Sequence, residues 1–517
     1  MKSIANASAK TSRTEGRGAT QKQIRGSSLL LSGRFLAVGL NFAAQVLIVR
    51  YLSTADYGAF AYALSIVAFC ETFATLGLKR AITRFVPIYH EKEEYGKVFG
   101  TIIMVIGTIL LTGLATIVTI SLSPQPLDRM LINEQQPRLL LAILVFLVPV
   151  QALDGLLIGL FASFVSPRAI FFRKHVLGPG LKLVVVLLLV VWQSDVTFLA
   201  YGYLAASAFG VLLYSGVLLR LFRRVGLAGH FRLKTLQLPV REIFSFTIPV
   251  LTSDLLVIVM HSVDVLLLGY YHDSSEVAFF RVVLPAAHLN TIVMSSFALL
   301  FTPSAARLFA KNDYSGINHL YWRTAVWIAV LSFPVFVVTF STAQALTVLL
   351  YGERYAQSGV ILALLSLGYY FNAALGFNGL TLKVLGKLRY IVLINLLAVV
   401  VNIAINLLLI PRYGALGAAI GTASTMIAHN ILKQAGLRLA SGLSIFDRHY
   451  LPFYLLLAGS ALGLFGLQRF VASSISVSLL LAGFVSLFVF MVSKKHLHVA
   501  ETFPELLKLP VIRLMFR

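Results

Sequence analysis

Long apolar runs alternate with short polar connections along almost the entire chain. Most of these runs contain about 20 residues, which at about 1.5 Å per residue lets a helix cross a hydrocarbon core of about 30 Å. The pattern therefore predicts an all-α polytopic membrane protein with about 14 transmembrane helices. The predicted spans are approximately 28–49, 58–78, 98–121, 138–162, 175–192, 196–219, 243–271, 277–302, 321–345, 358–381, 389–410, 414–437, 450–468 and 472–493.

A repeat relates the first two spans to a pair of spans in the second half of the chain. A single offset of 219 residues brings the two segments into register. Internal repeats of this kind are how many transporters build a central site between two similar bundles. The matching pairs are Gln45 with Asp264, Tyr51 with Tyr270, Ala59-Phe60 with Ala278-Phe279, and Tyr95 with Tyr314.

The repeat, the loop lengths and the polar chain ends divide the sequence into six regions. An organellar transit peptide is an alternative interpretation of the first region, which is rich in Ser and Arg and poor in acids. The predicted regions are a basic cytoplasmic tail at 1–27, an N-terminal six-helix bundle at 28–220, a cytoplasmic linker at 221–242, a C-terminal six-helix bundle at 243–440, two extra transmembrane helices at 441–493 and a cytoplasmic tail at 494–517.

Composition supports the membrane assignment, and the charge distribution adds a topology. The chain is 58% hydrophobic and only 12% charged, with a mean hydropathy of +0.86. Its net charge is +23, but 34 of the 43 Lys and Arg fall on the side of the two termini and 7 on the other. Because cytoplasmic loops collect basic residues, both termini are expected to be cytoplasmic in a multi-pass protein of the cell (inner) membrane. The basic excess is thus explained by topology, and a nucleic-acid partner is not expected.

A polar stripe runs along the first span. Arg34, Asn41 and Gln45 fall within about 40° of one another on a helix. A charge near the middle of a membrane helix costs at least about 2.5 kcal/mol, so this face is expected to line a protein interior or a watery cavity. The alternative for Arg34 is a structural ion pair with Glu71, which lies at similar depth in the second span.

The seventh span places Asp254, His261 and Asp264 within an arc of about 80° if the helix is straight. Two acids and an imidazole on one face suit the uptake of a proton or a cation, and we name them as candidates for ion coupling. The alternative is that they fill polar gaps and hydrogen-bond neighbouring helices.

Three further spans carry polar residues. Arg281 and His288 share a face of the eighth span, although Arg281 is near its outer end and can reach the interface. Asn395, Asn402 and Asn406 form a stripe in the eleventh span, interpreted either as interhelical contacts or as a sugar site. Lys182 is near the cytoplasmic end of its span, where extension to the interface is the favoured interpretation. No metal site, cofactor or catalytic triad is expected.

Several short motifs occur in an order and spacing that resemble a known family. They are Arg50–Gly58 (RYLSTADYG), Leu76–Leu78 (LGL), Arg84–Pro87 (RFVP), Leu350–Glu353 (LYGE) and Asn406–Ala419 (NLLLIPRYGALGAA). Together they resemble the polysaccharide (O-antigen or exopolysaccharide type) flippases of the multidrug/oligosaccharidyl-lipid/polysaccharide exporter superfamily. The resemblance extends over nearly the whole chain.

The resemblance implies two pseudo-symmetric six-helix bundles, a V-shaped central cavity, two extra C-terminal spans and alternating access. It implies a transporter, not an enzyme, that moves an undecaprenyl-pyrophosphate-linked oligosaccharide to the outer leaflet for lipopolysaccharide or exopolysaccharide biosynthesis. Membrane lipid, a coupling H⁺ or Na⁺, and other polysaccharide-assembly proteins are the implied partners. The candidates for the substrate cavity are Arg34, Asn41, Gln45, Arg281 and His288.

Two other functions remain open at this point. A cation-coupled multidrug exporter of the same superfamily would use Asp254 and Asp264 to hold a cationic drug. A membrane glycosyltransferase or polymerase is the second alternative, but such enzymes usually need a substantial acidic outer loop, and the predicted outer loops are short.

Overall fold

The computed structural model describes residues 29–30, 32–122, 135–442, 450–470 and 474–497. Within these ranges the chain is helical and contains no strand, which confirms the all-α prediction. It forms two compact units, Met1–Ile258 and Val259–Arg517. The predicted tail at 1–27 and nearly all of the predicted tail at 494–517 lie outside the described residues.

The helices match the predicted number of membrane crossings. Twelve helices in the described ranges are long and apolar enough to cross a membrane, and a bent pair gives a thirteenth. One of the twelve, Leu388–Ala440, contains 53 residues, about twice what one crossing requires. It is divided at Gly414, where φ is 51° and ψ is −131°, so it supplies two crossings.

The described part of the first unit contains ten helical segments up to Arg224. The core formed by these helices includes Leu78, Ile82, Leu156 and Phe161. The segments are α1 (Ser32–Tyr51), α2 (Thr54–Thr75), α3 (Leu78–Glu91), α4 (Tyr95–Leu122), α5 (Gln135–Leu144), α6 (Leu147–Ser163), α7 (Pro167–Ile170), a π-helix (Phe171–Leu177), α8 (Gly178–Val191) and α9 (Val196–Arg224).

The second predicted span ends in a sharp break. Leu76 and Gly77 adopt φ values of 45° and 71°, and α3 begins directly afterwards. Helix α3 buries Leu78, Ala81 and Ile82 on one side. The basic residues between them therefore lie on its other side, where they can reach neighbouring charges.

The segment predicted as a linker at 221–242 is packed against the first unit. Short 3₁₀ turns at Leu227–His230 and Leu233–Thr235 lead to α10 (Val240–Tyr271). The ring of His230 stacks on Tyr95 at 4.1 Å, and Tyr89 donates a 2.5 Å hydrogen bond to Glu242. These contacts explain why the division between the units falls at 258/259, within α10, and not at the predicted start of the second bundle.

The second unit contains the remaining helices. They are α11 (Ser274–Arg281), α12 (Leu284–His288), a 3₁₀ turn (Leu289–Thr291), α13 (Ile292–Ala310), α14 (Tyr314–Ser341), α15 (Ala343–Tyr351), a 3₁₀ turn (Glu353–Tyr355), α16 (Ser358–Ala374), α17 (Asn378–Val384), α18 (Leu388–Ser441), α19 (Leu451–Phe470) and α20 (Ile475–Leu497). Helices α19 and α20 pack on α14 through a shared apolar cluster.

Helix α18 is a hairpin of two spans. The carboxylate of Glu276 accepts a 2.6 Å hydrogen bond from the backbone N–H of Ala415, just after the break at Gly414. The two halves contact each other directly, since His429 Nε2 lies 2.9 Å from Asn395 Oδ1. The halves therefore run back along one another, as two separate spans would.

The sequence repeat is also visible in the helix bounds. Helix α4 runs from Tyr95 to Leu122 and α14 from Tyr314 to Ser341, with 28 residues in each. Both ends are related by the offset of 219 residues found in the sequence. The repeat therefore has a counterpart in helix length and position.

Candidate functional site

A charged cavity of about 380 Å³ lies within the first unit. Helices α1, α2, α6, α8 and α9, the π-helix and the start of α3 contribute to its wall. Four cations and two acids line it, so the lining carries a net positive charge. They are Lys79, Arg173, Lys174, Lys182, Glu71 and Asp154.

Arg173 is the most deeply buried of these cations. Its residue exposure is 5%, and its Nη2 atom lies 2.7 Å from Asp154 Oδ1. A Cβ atom placed on Gly210 would come within 2.8 Å of Arg173 Nη2, so the guanidinium packs directly against the backbone of α9. The Nε atom of Arg173 is buried and has no hydrogen-bond partner in the described part of the chain.

Lys182 also belongs to this cavity. Its ammonium group lies 5.2 Å from the centre of the Tyr203 ring, and it interacts electrostatically with Asp154 and Glu71. The expectation that Lys182 extends away to the membrane interface is therefore wrong. Its contact with an aromatic face is typical of a cation partly withdrawn from water.

Glu71 has a different partner from the one predicted as an alternative. Its Oε1 atom lies 2.6 Å from Lys79 Nζ. The structural pair of Glu71 with Arg34 is therefore wrong. Arg34 is exposed and is close enough to His175 for its charge to act on that ring.

The other two residues of the first-span stripe separate in the structure. Asn41 lines the cavity, and its amide also donates a 2.8 Å hydrogen bond to the carbonyl of Ala37. Gln45 is half-buried and donates a 3.1 Å hydrogen bond to Tyr57 Oη. Of the three predicted residues, only Asn41 is among the residues that line the cavity.

A buried polar cluster surrounds Asp264 in the second unit. Asp264 is 3% exposed and accepts hydrogen bonds from Asn406 Nδ2 and from Thr422 Oγ1, the latter at 2.7 Å. Asn402 also hydrogen-bonds to the same carboxylate. The side-chain oxygens of Asn402 and Asn406 are buried and have no donor among the described residues.

The two acids predicted to share a face, Asp254 and Asp264, have different partners in the structure. Asp254 belongs to the first unit and pairs with Arg80 at 2.5 Å, whereas Asp264 belongs to the second. The side chain of His261 lies outside the described residues.

Arg281 and His288 lie near a buried tyrosine of the second unit. His288 is exposed, and its Nε2 atom is 2.9 Å from Tyr369 Oη. Arg281 is half-buried, and its charge, like that of Asp264, acts on Tyr369. These two predicted substrate residues therefore do not belong to the charged cavity of the first unit.

Sequence reasoning missed two central residues of the cavity. Arg173 falls in a predicted cytoplasmic loop, but the π-helix carries it into the protein interior. The sequence did contain one indication of this site. Asp154 is an acid well inside the predicted span 138–162, and such an acid requires a compensating charge. Hydropathy identifies Asp154 as unusual, but only the fold identifies Arg173 as its partner.

The apolar helices define a multi-pass membrane protein. A family model described as "Polysaccharide biosynthesis protein" matches residues 24–301, and one described as "MatE" matches residues 249–408. The first match covers more than half of the chain, so the chain belongs to the polysaccharide biosynthesis protein family. The family suggested by the sequence motifs is thereby confirmed.

Individual relatives are distant. An uncharacterized membrane protein of Methanocaldococcus jannaschii, MJ1068, is 21% identical over 417 residues, which cover 78% of this chain and 81% of that protein. The capsular polysaccharide biosynthesis protein CapF of Staphylococcus aureus is 25% identical over 183 residues, which cover 35% of this chain and 46% of CapF. The second match therefore spans less than half of CapF.

A solved structure shares the fold. The lipid II flippase MurJ in an inward closed conformation matches with a TM-score of 0.71 and 13% identity, over 90% of this chain and 99% of that chain. At this identity the match supports the fold of the chain and not the choice of substrate.

Proposed function

We propose that the protein moves an undecaprenyl-pyrophosphate-linked oligosaccharide from the cytoplasmic to the outer leaflet of the cell membrane by alternating access, for surface polysaccharide biosynthesis. The family membership and the similarity in fold to a lipid II flippase support this proposal. The observation that carries it is the buried Arg173 in a cavity with three further cations. A topology with both termini in the cytoplasm follows from the charge distribution of the loops.

The chemistry of the cavity suits a pyrophosphate diester. Arginine presents a planar fork of N–H donors that matches two phosphate oxygens, while lysine provides a compact positive charge. Arg173 would bind one phosphate of the pyrophosphate. Lys182 and Lys79 lie in the same cavity and would bind the second phosphate. The excess of cations over acids favours such a diester over a neutral or cationic ligand.

Cation coupling at the Asp264 cluster is a second part of the proposal. Hard cations such as Na⁺ prefer oxygen ligands, and the cluster contains a carboxylate together with two buried amide oxygens that lack donors among the described residues, those of Asn402 and Asn406. Buried polar atoms usually have a partner. The amides of Asn402 and Asn406 direct their N–H groups at the carboxylate. A proton on Asp264 could reach an amide oxygen only if that amide flipped, whereas a Na⁺ ion beside an amide oxygen would need no flip, so we favour Na⁺ over H⁺.

The two alternatives are less well supported. A multidrug exporter would agree with the match of 249–408 to the MatE family model, but a cationic drug would be repelled by a cavity lined by more cations than acids. A glycosyltransferase or polymerase would need acids arranged for catalysis. The two acids of the cavity, Glu71 and Asp154, are each already paired with a cation.

A deletion strain tests the proposed function. Without the protein, lipid-linked oligosaccharide is expected to accumulate on the cytoplasmic side and surface polysaccharide to disappear. Arg173→Lys should restore little of it, because losing a charge-assisted hydrogen bond worth about 1.5–3 kcal/mol reduces binding about 10- to 100-fold. Arg223→Lys, at the exposed end of α9, is the matched control and should complement fully.

The same strain separates the alternatives. Drug hypersensitivity without accumulated lipid-linked oligosaccharide would replace the flippase with an exporter. Accumulated oligosaccharide of normal length on the outer leaflet would point to a missing polymerase. Normal surface polysaccharide with Arg173→Ala, at normal abundance of the protein, would remove Arg173 from the transport site.

A further inference from the structure

The acids of the charged cavity form contacts that a bound phosphate would have to replace. Glu71 pairs with Lys79, and Asp154 with Arg173. We propose that Asp154 is a placeholder anion, which occupies Arg173 while the cavity is empty, gives way to a substrate phosphate, and returns to expel it. This inference rests on the proposed function and assigns Asp154 a role in substrate release as a positioning residue.

The contact between Asp154 and Arg173 is incomplete. It joins one carboxylate oxygen to one guanidinium nitrogen, Nη2, at 2.7 Å. The neighbouring donor, Nε, is buried without a hydrogen-bond partner in the described residues. Asp154 Oδ1 is likewise buried without a hydrogen-bond partner in these residues, so the contact is an ion pair without good hydrogen-bond geometry. A phosphate bound to both Nε and Nη2 would therefore form more charge-assisted hydrogen bonds than Asp154 does, and can displace it.

Asp154 does not become an isolated charge when it is displaced. Its side chain is 27% exposed, compared with 6% for Arg173. The charges of Lys79 and Lys182 act on its carboxylate in addition to that of Arg173. Removing one partner of a fully buried pair is strongly destabilising, but here the remaining lysines and the open cavity reduce that penalty.

Competition between Asp154 and the substrate for Arg173 would affect the rate of transport as well as the affinity for substrate. A carrier that binds its substrate too tightly is occupied more of the time but releases the substrate more slowly. Tight binding lowers the free energy of the bound state without lowering the barrier to release. By competing for Arg173, Asp154 weakens the bound state and assists release on the far side. Removing the negative charge of Asp154 should therefore improve binding and slow transport, a combination that damage to the fold would not produce.

The test measures binding and turnover on the purified full-length protein in nanodiscs and proteoliposomes. For Asp154→Asn we expect the Kd of farnesyl pyrophosphate to fall about tenfold and the turnover of a lipid-linked oligosaccharide to fall as well. Asp195→Asn removes the same charge at the start of α9, outside the cavity, and should change neither quantity. Unchanged or weaker binding by Asp154→Asn would overturn the inference.

A second variant keeps the charge, in case Asp154→Asn folds poorly. Asp154→Glu keeps a carboxylate that can compete for Arg173, so the Kd for farnesyl pyrophosphate should not fall as it does with Asp154→Asn. Tighter binding by Asp154→Glu would overturn the inference. Arg173→Ala separates the two proposals. If Arg173→Ala binds farnesyl pyrophosphate as well as the wild type does, the proposed phosphate site is wrong. If Arg173→Ala loses binding but Asp154→Asn does not bind more tightly, only the placeholder role of Asp154 is wrong.

Discussion

Asp254 and Asp264 show how far single residues can be assigned from sequence. Both are acids inside a predicted apolar span, and hydropathy alone marks them as unusual. Hydropathy does not reveal their partners, because Arg80 is 174 positions away from Asp254 and Asn406 is 142 positions away from Asp264. Burial of a charge is therefore predictable from the sequence, whereas the group that compensates it depends on tertiary packing.

The difference between these two acids leads to a prediction about coupling. Asp264→Asn removes the one anionic oxygen group of the cluster, so stabilisation of the purified protein by Na⁺, measured as a shift in Tm, should disappear. Asp254→Asn removes the same charge from a pair with Arg80 in the other unit and should retain the Na⁺-dependent shift. An equal shift in wild type and Asp264→Asn would contradict a Na⁺ site at the Asp264 cluster.

At the scale of elements, the segment at 221–242 departs most from expectation. Its polarity and position suggested a connection between bundles, but it packs on α4. The backbone of Gln237 donates a 3.2 Å hydrogen bond to the carbonyl of Gly96, and its carbonyl lies against Gly100. Backbone contacts of this kind cannot be predicted from the pattern of apolar and polar residues.

Substitution of Gly100 tests this packing. A Cβ atom there would lie 1.9 Å from the carbonyl oxygen of Gln237, so Gly100→Ala should loosen the segment. Trypsin should then cleave faster at Arg232 and Lys234, whose side chains are exposed but whose backbone is held by the packing. The matched control is Gly216→Ala, where a Cβ atom meets nothing within 4 Å. That change should leave the digestion pattern unaltered and stabilise α9 by about 0.5–1 kcal/mol. Equal trypsin sensitivity in both variants would contradict the packing.

The whole-molecule architecture was the most predictable level. Apolar runs of bilayer length and the 219-residue offset led to an all-α protein with a repeat, and the bounds of α4 and α14 show the same offset. The hairpin in α18 was also anticipated as two spans. These features follow from local hydropathy and length, whereas the π-helix that buries Arg173 depends on packing between helices.

The topology is a prediction at this scale. In a Cys70→Ala background, cysteines placed at Ser3, Lys234 and His498 should react with an impermeant maleimide only after the membrane is opened, because these positions fall on the basic side. Cysteines at Gln125 and Ser194 should react in intact cells. Labelling of position 234 from outside intact cells would contradict the assignment. Residues 3, 125 and 498 lie outside the described ranges.

Translocation by the purified protein tests the central claim most directly. Proteoliposomes would carry a lipid-linked oligosaccharide on the inner leaflet, and its arrival outside would be followed by digestion with an impermeant glycosidase. We predict rapid exposure of oligosaccharide of unchanged length with the wild type, and loss of about 10- to 100-fold in rate with Arg173→Lys reconstituted at the same amount. Exposure no faster than in protein-free liposomes, or an equal rate with Arg173→Lys, would contradict the account.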